Sequence, residues 1–210
     1  MKRSIEAMRR QDLIEAAYRT FVEHGIGGTT VARIGKTAGM SHGLVNYYFK
    51  SKSELLNAVV RYANRTIMED VREKLRYATS HYSRIMAIID GHFPEKSYER
   101  TTANAWISLY AATPKMREFE RVHNIYYRRL HSNLVYSLRH FMSDDVAHEA
   151  AFGISVMIDG LWTRCGMSRE TVRPEEAKRV TRHYFHSLLP DGMYDTRDTR
   201  QMFETRHTSE

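Results

Sequence analysis

Apolar residues recur at spacings of three and four along most of this chain, which is the period of an amphipathic α-helix. The first such stretch predicts a helix over 9–24 that ends at Gly25. Its apolar face consists of Leu13, Ile14, Ala17, Phe21 and Val22. Because no run of alternating apolar and polar residues between turn signals indicates a strand, the predicted fold class is all-α.

A pair of short helices follows at once. Thr29 and Thr30 are good N-cap residues, and Gly39 has the conformational freedom that a helix end requires. Ser41 then opens a second helix over 42–48, which leaves a short joint between the two. That joint is typical of a helix-turn-helix, so the second helix is predicted to read DNA.

The rest of the chain predicts six longer helices, with prolines and a glycine at the breaks. Pro94, Pro114 and Pro174 lie between apolar stretches, and Gly166 ends one of them. The predicted bounds are 52–78, 83–93, 98–112, 115–141, 144–166 and 174–188. Residues 191–210 have no apolar period, which predicts a flexible tail.

Positive charge is concentrated near the N-terminus. The formal net charge is +7, and residues 1–54 hold nine Lys or Arg against five Asp or Glu. A basic face neutralises phosphates and releases counterions, whereas without a helix-turn-helix the same excess would indicate only a solvated surface. The charge therefore favours double-stranded DNA as a partner.

The helix-turn-helix and its flanks resemble TetR-type transcriptional regulators. The resemblance rests on Tyr48-Phe49 after the second helix and on the Lys-Ser-Glu-Leu-Leu run from Lys52. It also rests on Thr30, Ile34, Ala38, Gly39, Ser41 and Gly43. It implies a three-helix DNA-binding domain at 1–51, a larger helical ligand-binding and dimerisation domain at 52–190, and a homodimeric repressor on a pseudo-palindromic operator.

Side chains of the second helix divide between bases and phosphates. His42, Leu44 and Asn46 are expected to face base edges in the major groove, while Val45 and Phe49 pack inward. Tyrosines, a lysine and threonines are expected at phosphates. The complete predicted DNA-binding set is Thr29, Thr30, Ser41, His42, Gly43, Leu44, Asn46, Tyr47, Tyr48 and Lys52.

Both tryptophans lie in the C-terminal part of the chain. Tyr110 falls one turn after Trp106, and Asp159 falls one turn before Trp162 on the same helical face. Aromatic faces around a carboxylate suit a quaternary ammonium ion, which offers no hydrogen-bond donor and is held by cation-π attraction. Spacing alone also fits tryptophans packed in a helical core, which is the commoner case.

Several segments are similar to the choline-sensing BetI type of this family, which implies control of betaine synthesis or uptake genes. They are NAWISLY at 104–110, RRLHSNLV at 128–135, MIDGLW at 157–162 and TRHYF at 181–185. The last two helices resemble the family's dimer interface. The expected ligand-binding set for choline or a related cation is Trp106, Tyr110, Tyr126, Tyr127, Asp159 and Trp162.

Other functions stay open at this point. A different inducer would make the chain a regulator of an efflux or catabolic operon, and some TetR-fold proteins bind chromosomal DNA without controlling transcription. No phosphate-binding loop, HExxH or CxxC pattern occurs, so no enzyme, catalytic residue or cofactor is predicted. His183 and His186 are a close helical pair without nearby carboxylates or cysteines, so no metal site is predicted either.

The compartment follows from cysteine use and from what the N-terminus lacks. A single cysteine, Cys165, excludes an intramolecular disulfide and favours a reducing cytoplasm. The charged N-terminal residues lack the apolar segment of a signal peptide, and no run of about eighteen apolar residues occurs. We therefore expect a cytoplasmic protein with no membrane segment.

Overall fold

The computed structural model describes residues 5–112, 117–170 and 172–190. Within these residues the chain forms nine α-helices and no strand, which confirms the all-α prediction, and none of the helices is long and apolar enough to cross a bilayer. The predicted tail at 191–210 and the break at Pro114 lie outside the described residues. The helices are α1 (Ile5–Gly28), α2 (Val31–Ala38), α3 (His42–Tyr48), α4 (Lys52–Arg76), α5 (His81–Gly91), α6 (Arg100–Ala112), α7 (Arg117–Leu138), α8 (Asp144–Met167) and α9 (Pro174–Ser187).

Helix α1 buries the face that its apolar period predicts. Leu13, Ala17 and Phe21 are fully buried and belong to the core. Gly25, expected to end the helix, instead breaks it, because its φ of 64° is left-handed and helical turns continue to Gly28. Glycine adopts a positive φ without the steric cost that a Cβ brings.

Helices α2 and α3 form the predicted helix-turn-helix. The Thr30 and Ser41 hydroxyls cap α2 and α3 by accepting backbone N–H groups, and Gly39 ends α2 with a φ of 65°. A Cβ added at Gly35 would lie 2.7 Å from the Met40 carbonyl oxygen. The turn therefore closes only because Gly35 has no side chain.

Helix α4 connects the helix-turn-helix to the rest of the chain. It packs against α1 as well as against α5 and α7. At its closest approach to α5, a Cβ added at Gly91 would lie 2.6 Å from the Val71 Cα. Because no side chain separates the two backbones there, a displacement of α5 acts directly on α4.

Helices α5 to α9 pack as a second bundle. Phe93, Leu134 and Phe185 are fully buried in it. Arg182 of α9 donates two hydrogen bonds to the Asp90 carboxylate of α5, so α9 is held by a charge-assisted pair as well as by packing.

Helix α8 has two apolar faces with different surroundings. Ile154 and Ile158 are buried in the bundle, whereas Phe152 and Val156 are 65% and 50% exposed. Contiguous apolar side chains in water mark interaction surfaces. Helix α8, one of the two helices that resemble the family's dimer interface, therefore places apolar residues both in the core and at the surface.

Candidate functional site

The exposed face of α3 carries the residues predicted to contact bases. His42 and Asn46 are exposed, Leu44 is half-buried, and Asn46 Nδ2 lies 3.1 Å from His42 Nδ1. Val45 and Phe49 are buried, as the inward face predicts. A carboxamide beside an imidazole offers both donors and acceptors, which is what readout of a base edge requires.

Most residues predicted to contact phosphates surround this face. Tyr47 is 70% exposed and packs edge-to-face on Tyr48, with 5.2 Å between the ring centroids. Lys52 is exposed in the first turn of α4, and Ser41 and Gly43 are exposed at the start of α3. These exposed groups lie on α3, at its N-cap or in the first turn of α4, so they belong to the accessible surface of the helix-turn-helix region.

Thr29 does not belong to this surface, although we expected it at a phosphate. Its side chain is fully buried, and its hydroxyl donates a 2.7 Å hydrogen bond to the Gly25 carbonyl. Thr30 alone caps α2, with its hydroxyl 3.3 Å from the Arg33 nitrogen. Of two adjacent threonines, one satisfies the broken end of α1 and the other caps the next helix.

Aromatic side chains of α6 and α7 form a continuous series of ring contacts. The ring centroids of Trp106 and Tyr110 lie 6.1 Å apart, and those of Tyr110 and His123 lie 5.5 Å apart. The ring centroids of His123 and Tyr127 lie 4.4 Å apart, and those of Tyr127 and Tyr126 lie 5.1 Å apart. Four of the six residues predicted to bind the ligand therefore belong to one cluster, which we call the aromatic cage.

Asp159 of α8 joins the aromatic cage through Tyr127. The Tyr127 hydroxyl donates a hydrogen bond to the Asp159 carboxylate. Burial raises the pKa of Asp159 to about 6, and the hydrogen bond from Tyr127 offsets this only in part. Burial also raises the pKa of Tyr110, and the nearby Asp159 charge raises it further. Within the described part of the chain, no Lys or Arg forms an ion pair with this carboxylate.

The two tryptophans also have packing roles. Trp106 is 6% exposed and meets Phe21 of α1 edge-on, with 6.4 Å between the centroids. Trp162 is 7% exposed, packs edge-on against Tyr98 at 4.8 Å, and donates its indole N–H to the His92 carbonyl. Trp106 therefore belongs to the cage, whereas Trp162 is linked to it only through His92.

Two histidines that contact the cage tyrosines were not among the residues predicted from the sequence. His123 lies between Tyr110 and Tyr127, and its position one turn before Tyr127 was a usable signal. His92 meets Tyr126 edge-on at 6.0 Å. It is the C-cap residue of α5, far from the cage residues in sequence, and no periodicity could have found it.

A cationic groove of about 460 Å³ lies between α4 and α7 and borders the cage at Tyr126. Its apolar part is formed by Met68, Val122 and Ile125. The described residues that line it include five arginines and no carboxylate. The arginines are Arg61, Arg65, Arg72, Arg121 and Arg129.

His186, which forms a close helical pair with His183, has an ordinary structural role. His186 Nε2 lies 3.0 Å from the Tyr82 hydroxyl, which links α9 to α5. Among the residues that the structure describes, no group of three or more His, Cys, Asp or Glu side chains is arranged to hold a metal ion.

Two sequence profiles match the chain. Residues 13–59 match that of bacterial regulatory proteins of the tetR family, and residues 81–190 match that of the BetI-type transcriptional repressor C-terminal domain. The HTH-type transcriptional regulator BetI of Klebsiella pneumoniae (strain 342) is 32% identical over 192 residues. That match covers 90% of this chain and 98% of the relative.

Solved structures share the fold. A transcriptional regulator from Pseudomonas aeruginosa PAO1 is 25% identical, with a TM-score of 0.72 over 86% of this chain and 90% of that one. A regulator from Saccharomonospora viridis, solved in complex with choline, is 18% identical, with a TM-score of 0.77 over 86% of this chain and 96% of that one. At that identity the second match shows the fold alone.

Proposed function

This chain belongs to the TetR family of DNA-binding transcriptional regulators and has a BetI-type C-terminal domain, and we propose that it senses choline or a related quaternary ammonium ion. Members of this family are regulators rather than enzymes. The genes under its control would be those of betaine synthesis or uptake. An operator-binding regulator acts where the chromosome is, so the proposed compartment is the cytoplasm.

The observation that carries the choline proposal is the Asp159 carboxylate among tyrosines without a basic partner. An unpaired carboxylate is costly to bury, and a cation beside it removes that cost. A quaternary ammonium ion also meets the faces of the cage rings, where each good cation-π contact is worth about 2 kcal/mol when desolvated. The Saccharomonospora viridis regulator, which shares the fold, was solved with choline, the ligand proposed here.

DNA contact is proposed through the exposed face of α3 and its flanks. His42, Leu44 and Asn46 would meet base edges, and Tyr47 with Lys52 would meet phosphates. The remaining proposed members of the set are Thr30, Ser41, Gly43 and Tyr48. Thr29 is omitted because its side chain is buried.

Two copies of the chain are proposed to bind a pseudo-palindromic operator. The exposed Phe152 and Val156 of α8 support an isologous interface, in which the same apolar patch covers itself around a two-fold axis. In this proposal residues 1–51 bind DNA, residues 52–190 bind ligand and dimerise, and residues 191–210 remain a tail.

Ligand and DNA would be coupled through α6. This helix carries Trp106 and Tyr110 of the cage, and it contacts α1 through the Trp106–Phe21 ring pair. It also contacts α1 at Ser108, whose hydroxyl accepts a 3.0 Å hydrogen bond from the Ile26 N–H. A ligand changes operator affinity only if it favours one arrangement of α6 on α1 over another.

Parallel titrations with three compounds test the class of ligand. Choline, its neutral isostere 3,3-dimethylbutan-1-ol and a bulky lipophilic cation are titrated against the purified protein, with tryptophan fluorescence as the signal. The isostere fills the same volume without the charge, so it is expected to bind at least about 10-fold more weakly than choline. Equal affinities would remove the cation-π argument, and preference for the lipophilic cation would indicate a multidrug-type pocket.

The arginine groove favours a second candidate, a regulator of a catabolic operon with an anionic, partly apolar inducer. Five guanidinium groups around an apolar floor would repel a cation and hold a phosphate or carboxylate. Dodecyl phosphate is the probe for this alternative. If it releases the protein from its operator, and Arg121→Gln/Arg129→Gln but not the exposed control Arg169→Gln prevents release, the second candidate replaces the first.

A further inference from the structure

His92 holds a buried nitrogen that the fold leaves unsatisfied. Only 1% of the side chain is exposed, and its Nδ1 lies 2.6 Å from the Ile88 carbonyl oxygen. Its Nε2 is also buried but has no hydrogen-bond partner among the described residues. Buried side-chain nitrogens nearly always find a partner, so this one calls for an explanation.

The contact with Ile88 determines which nitrogen carries the proton. A carbonyl oxygen only accepts hydrogen bonds, so Nδ1 is the protonated nitrogen and Nε2 of the neutral ring has a free lone pair. Burial lowers the pKa of His92 to about 4, so the ring is neutral near pH 7. His92 therefore presents an acceptor and cannot donate from Nε2.

The position of His92 relates this acceptor to the aromatic cage. Its ring meets Tyr126 at 6.0 Å, and its carbonyl accepts the Trp162 indole N–H at 2.9 Å. The residue thus connects two members of the predicted ligand-binding set that come from α7 and α8.

We propose that His92 Nε2 accepts the hydroxyl hydrogen of a quaternary ammonium alcohol held in the cage, and so selects the alcohol; this proposal rests on the proposed function. The rings and Asp159 recognise only the cationic end, which alcohols, alkyl analogues and carboxylate analogues all share. A lone pair favours the alcohol, gains nothing from an alkyl chain and repels a carboxylate. His92 thereby separates an alcohol from its oxidised carboxylate form.

Binding constants measured by calorimetry for two ligands test this role. Choline and ethyltrimethylammonium carry the same cation and differ by the hydroxyl. The wild-type protein is expected to bind choline about 10-fold more tightly, the factor that one hydrogen bond represents. (Trimethylammonio)acetate, in which a carboxylate replaces the alcohol group of choline, is expected to bind more weakly than ethyltrimethylammonium.

Two substitutions at His92 serve as a matched pair. In His92→Asn, the amide nitrogen replaces Nδ1 toward Ile88 and nothing replaces Nε2. In His92→Gln, the longer side chain brings an amide oxygen to the place of Nε2. We expect H92N to bind both ligands with equal affinity, close to the wild-type value for ethyltrimethylammonium, and H92Q to regain part of the preference for choline.

The outcomes separate this proposal from the function on which it rests. If neither cation binds the wild-type protein, the proposed function fails. If both bind equally well, the cage stands and the role of His92 is refuted. If H92N weakens both ligands by the same factor, His92 is only a packing residue. Should H92N fail to fold, the ¹⁵N resonance of Nε2 in the wild-type protein decides, since it must shift with choline and stay unchanged with ethyltrimethylammonium.

Discussion

Tyr127 of α7 donates its phenolic hydrogen bond to the Asp159 carboxylate of α8. The pair brings together the polar end of one cage ring and the carboxylate proposed as counter-charge. Because burial raises the pKa of Asp159 to about 6, the charge of this carboxylate changes within an accessible pH range. Ligand binding should therefore depend on pH in a way that identifies the group.

The first prediction concerns choline affinity between pH 5 and 8. A cation binds the ionised carboxylate, so affinity is full above the pKa and is lost as the pH falls through about 6. With that pKa, binding at pH 5 should be about 10-fold weaker than at pH 7.5. Calorimetric titration at several pH values measures this, with Asp159→Asn as the control expected to show no pH dependence. A flat profile in the wild-type protein would exclude Asp159 as the counter-charge.

A second prediction separates ligand binding from folding. Since the pKa of Asp159 is raised from 3.8 to about 6, the native state holds the proton more tightly than the unfolded state does. The ionised carboxylate therefore destabilises the native state. This destabilisation is small below pH 4, grows as the pH rises from about 4 to about 6, and is complete above pH 6. D159N, whose amide oxygen still accepts from Tyr127, should raise the free energy of unfolding at pH 7 by on the order of 1 kcal/mol while weakening choline. Urea denaturation at pH 4 and pH 7 measures the free energy of unfolding, and calorimetric titration measures the choline affinity. Lower stability of D159N than of the wild-type protein at pH 7 would contradict this prediction.

A third prediction divides phosphate contacts from base contacts. Lys52→Ala should weaken binding to all DNA and reduce the salt slope by about one, because one released counterion is lost. His42→Ala and Asn46→Ala should each cost roughly 1–3 kcal/mol on the operator alone. Because Asn46 Nδ2 lies 3.1 Å from His42 Nδ1, the double variant should lose less than the sum of the two. Fluorescence anisotropy over a salt series measures these effects, and altered sequence preference in K52A would overturn the assignment.

The fourth prediction concerns the exposed apolar face of α8. Phe152→Asp should produce monomers that fold normally, because this side chain is 65% exposed in the single chain and its loss opens no cavity. Tyr77→Asp is the control, since Tyr77 is 78% exposed at the C-cap of α4 and so belongs to a different helix. Sedimentation measures the assembly state and circular dichroism the helix content. A dimeric F152D protein would place the interface elsewhere.

Helix positions were predictable from the sequence because local chemistry sets them. Thr30 and Ser41 mark starts and Gly39 marks an end, with backbone angles that the structure confirms, and Pro174 is the first residue of α9. Gly25 shows the limit, because glycine's freedom permits a break inside a helix as readily as an end. Likewise, two adjacent threonines look alike in the sequence, and only packing decides that Thr29 turns inward.

The surroundings of the proposed ligand site were less predictable. Trp106, Tyr110 and Asp159 could be selected by helical spacing within single helices. The arginines of α4 and α7 each look like a solvated face, and only the packing of the two helices turns them toward one groove. His92 likewise depends on a contact between distant segments. Tertiary contacts of this kind leave no periodic pattern along the chain.

The last prediction concerns how a ligand signal reaches the DNA-binding helices. Ser108 of α6 donates to the Ala105 carbonyl at 2.7 Å and accepts from the Ile26 N–H, directly beyond the break at Gly25. Removing this hydroxyl leaves the Ile26 N–H without that acceptor and loosens α6 from α1. Ser108→Ala should therefore keep choline affinity within about twofold but reduce the change in operator affinity that choline produces, since a coupling free energy is typically 1–3 kcal/mol and this contact carries part of it.

A matched control exists in α9. Ser187 likewise donates to the carbonyl three residues earlier, at 2.7 Å, but it is exposed and this hydrogen bond stays within α9. Ser187→Ala should leave the coupling unchanged, so a general effect of losing a helical serine is excluded. Operator anisotropy with and without saturating choline gives the coupling, and calorimetry gives choline affinity in the absence of DNA. Equal coupling in S108A and the wild-type protein would show that the signal does not pass through the contact of α6 with α1, and would leave the direct approach of α5 to α4 at Gly91 as the route.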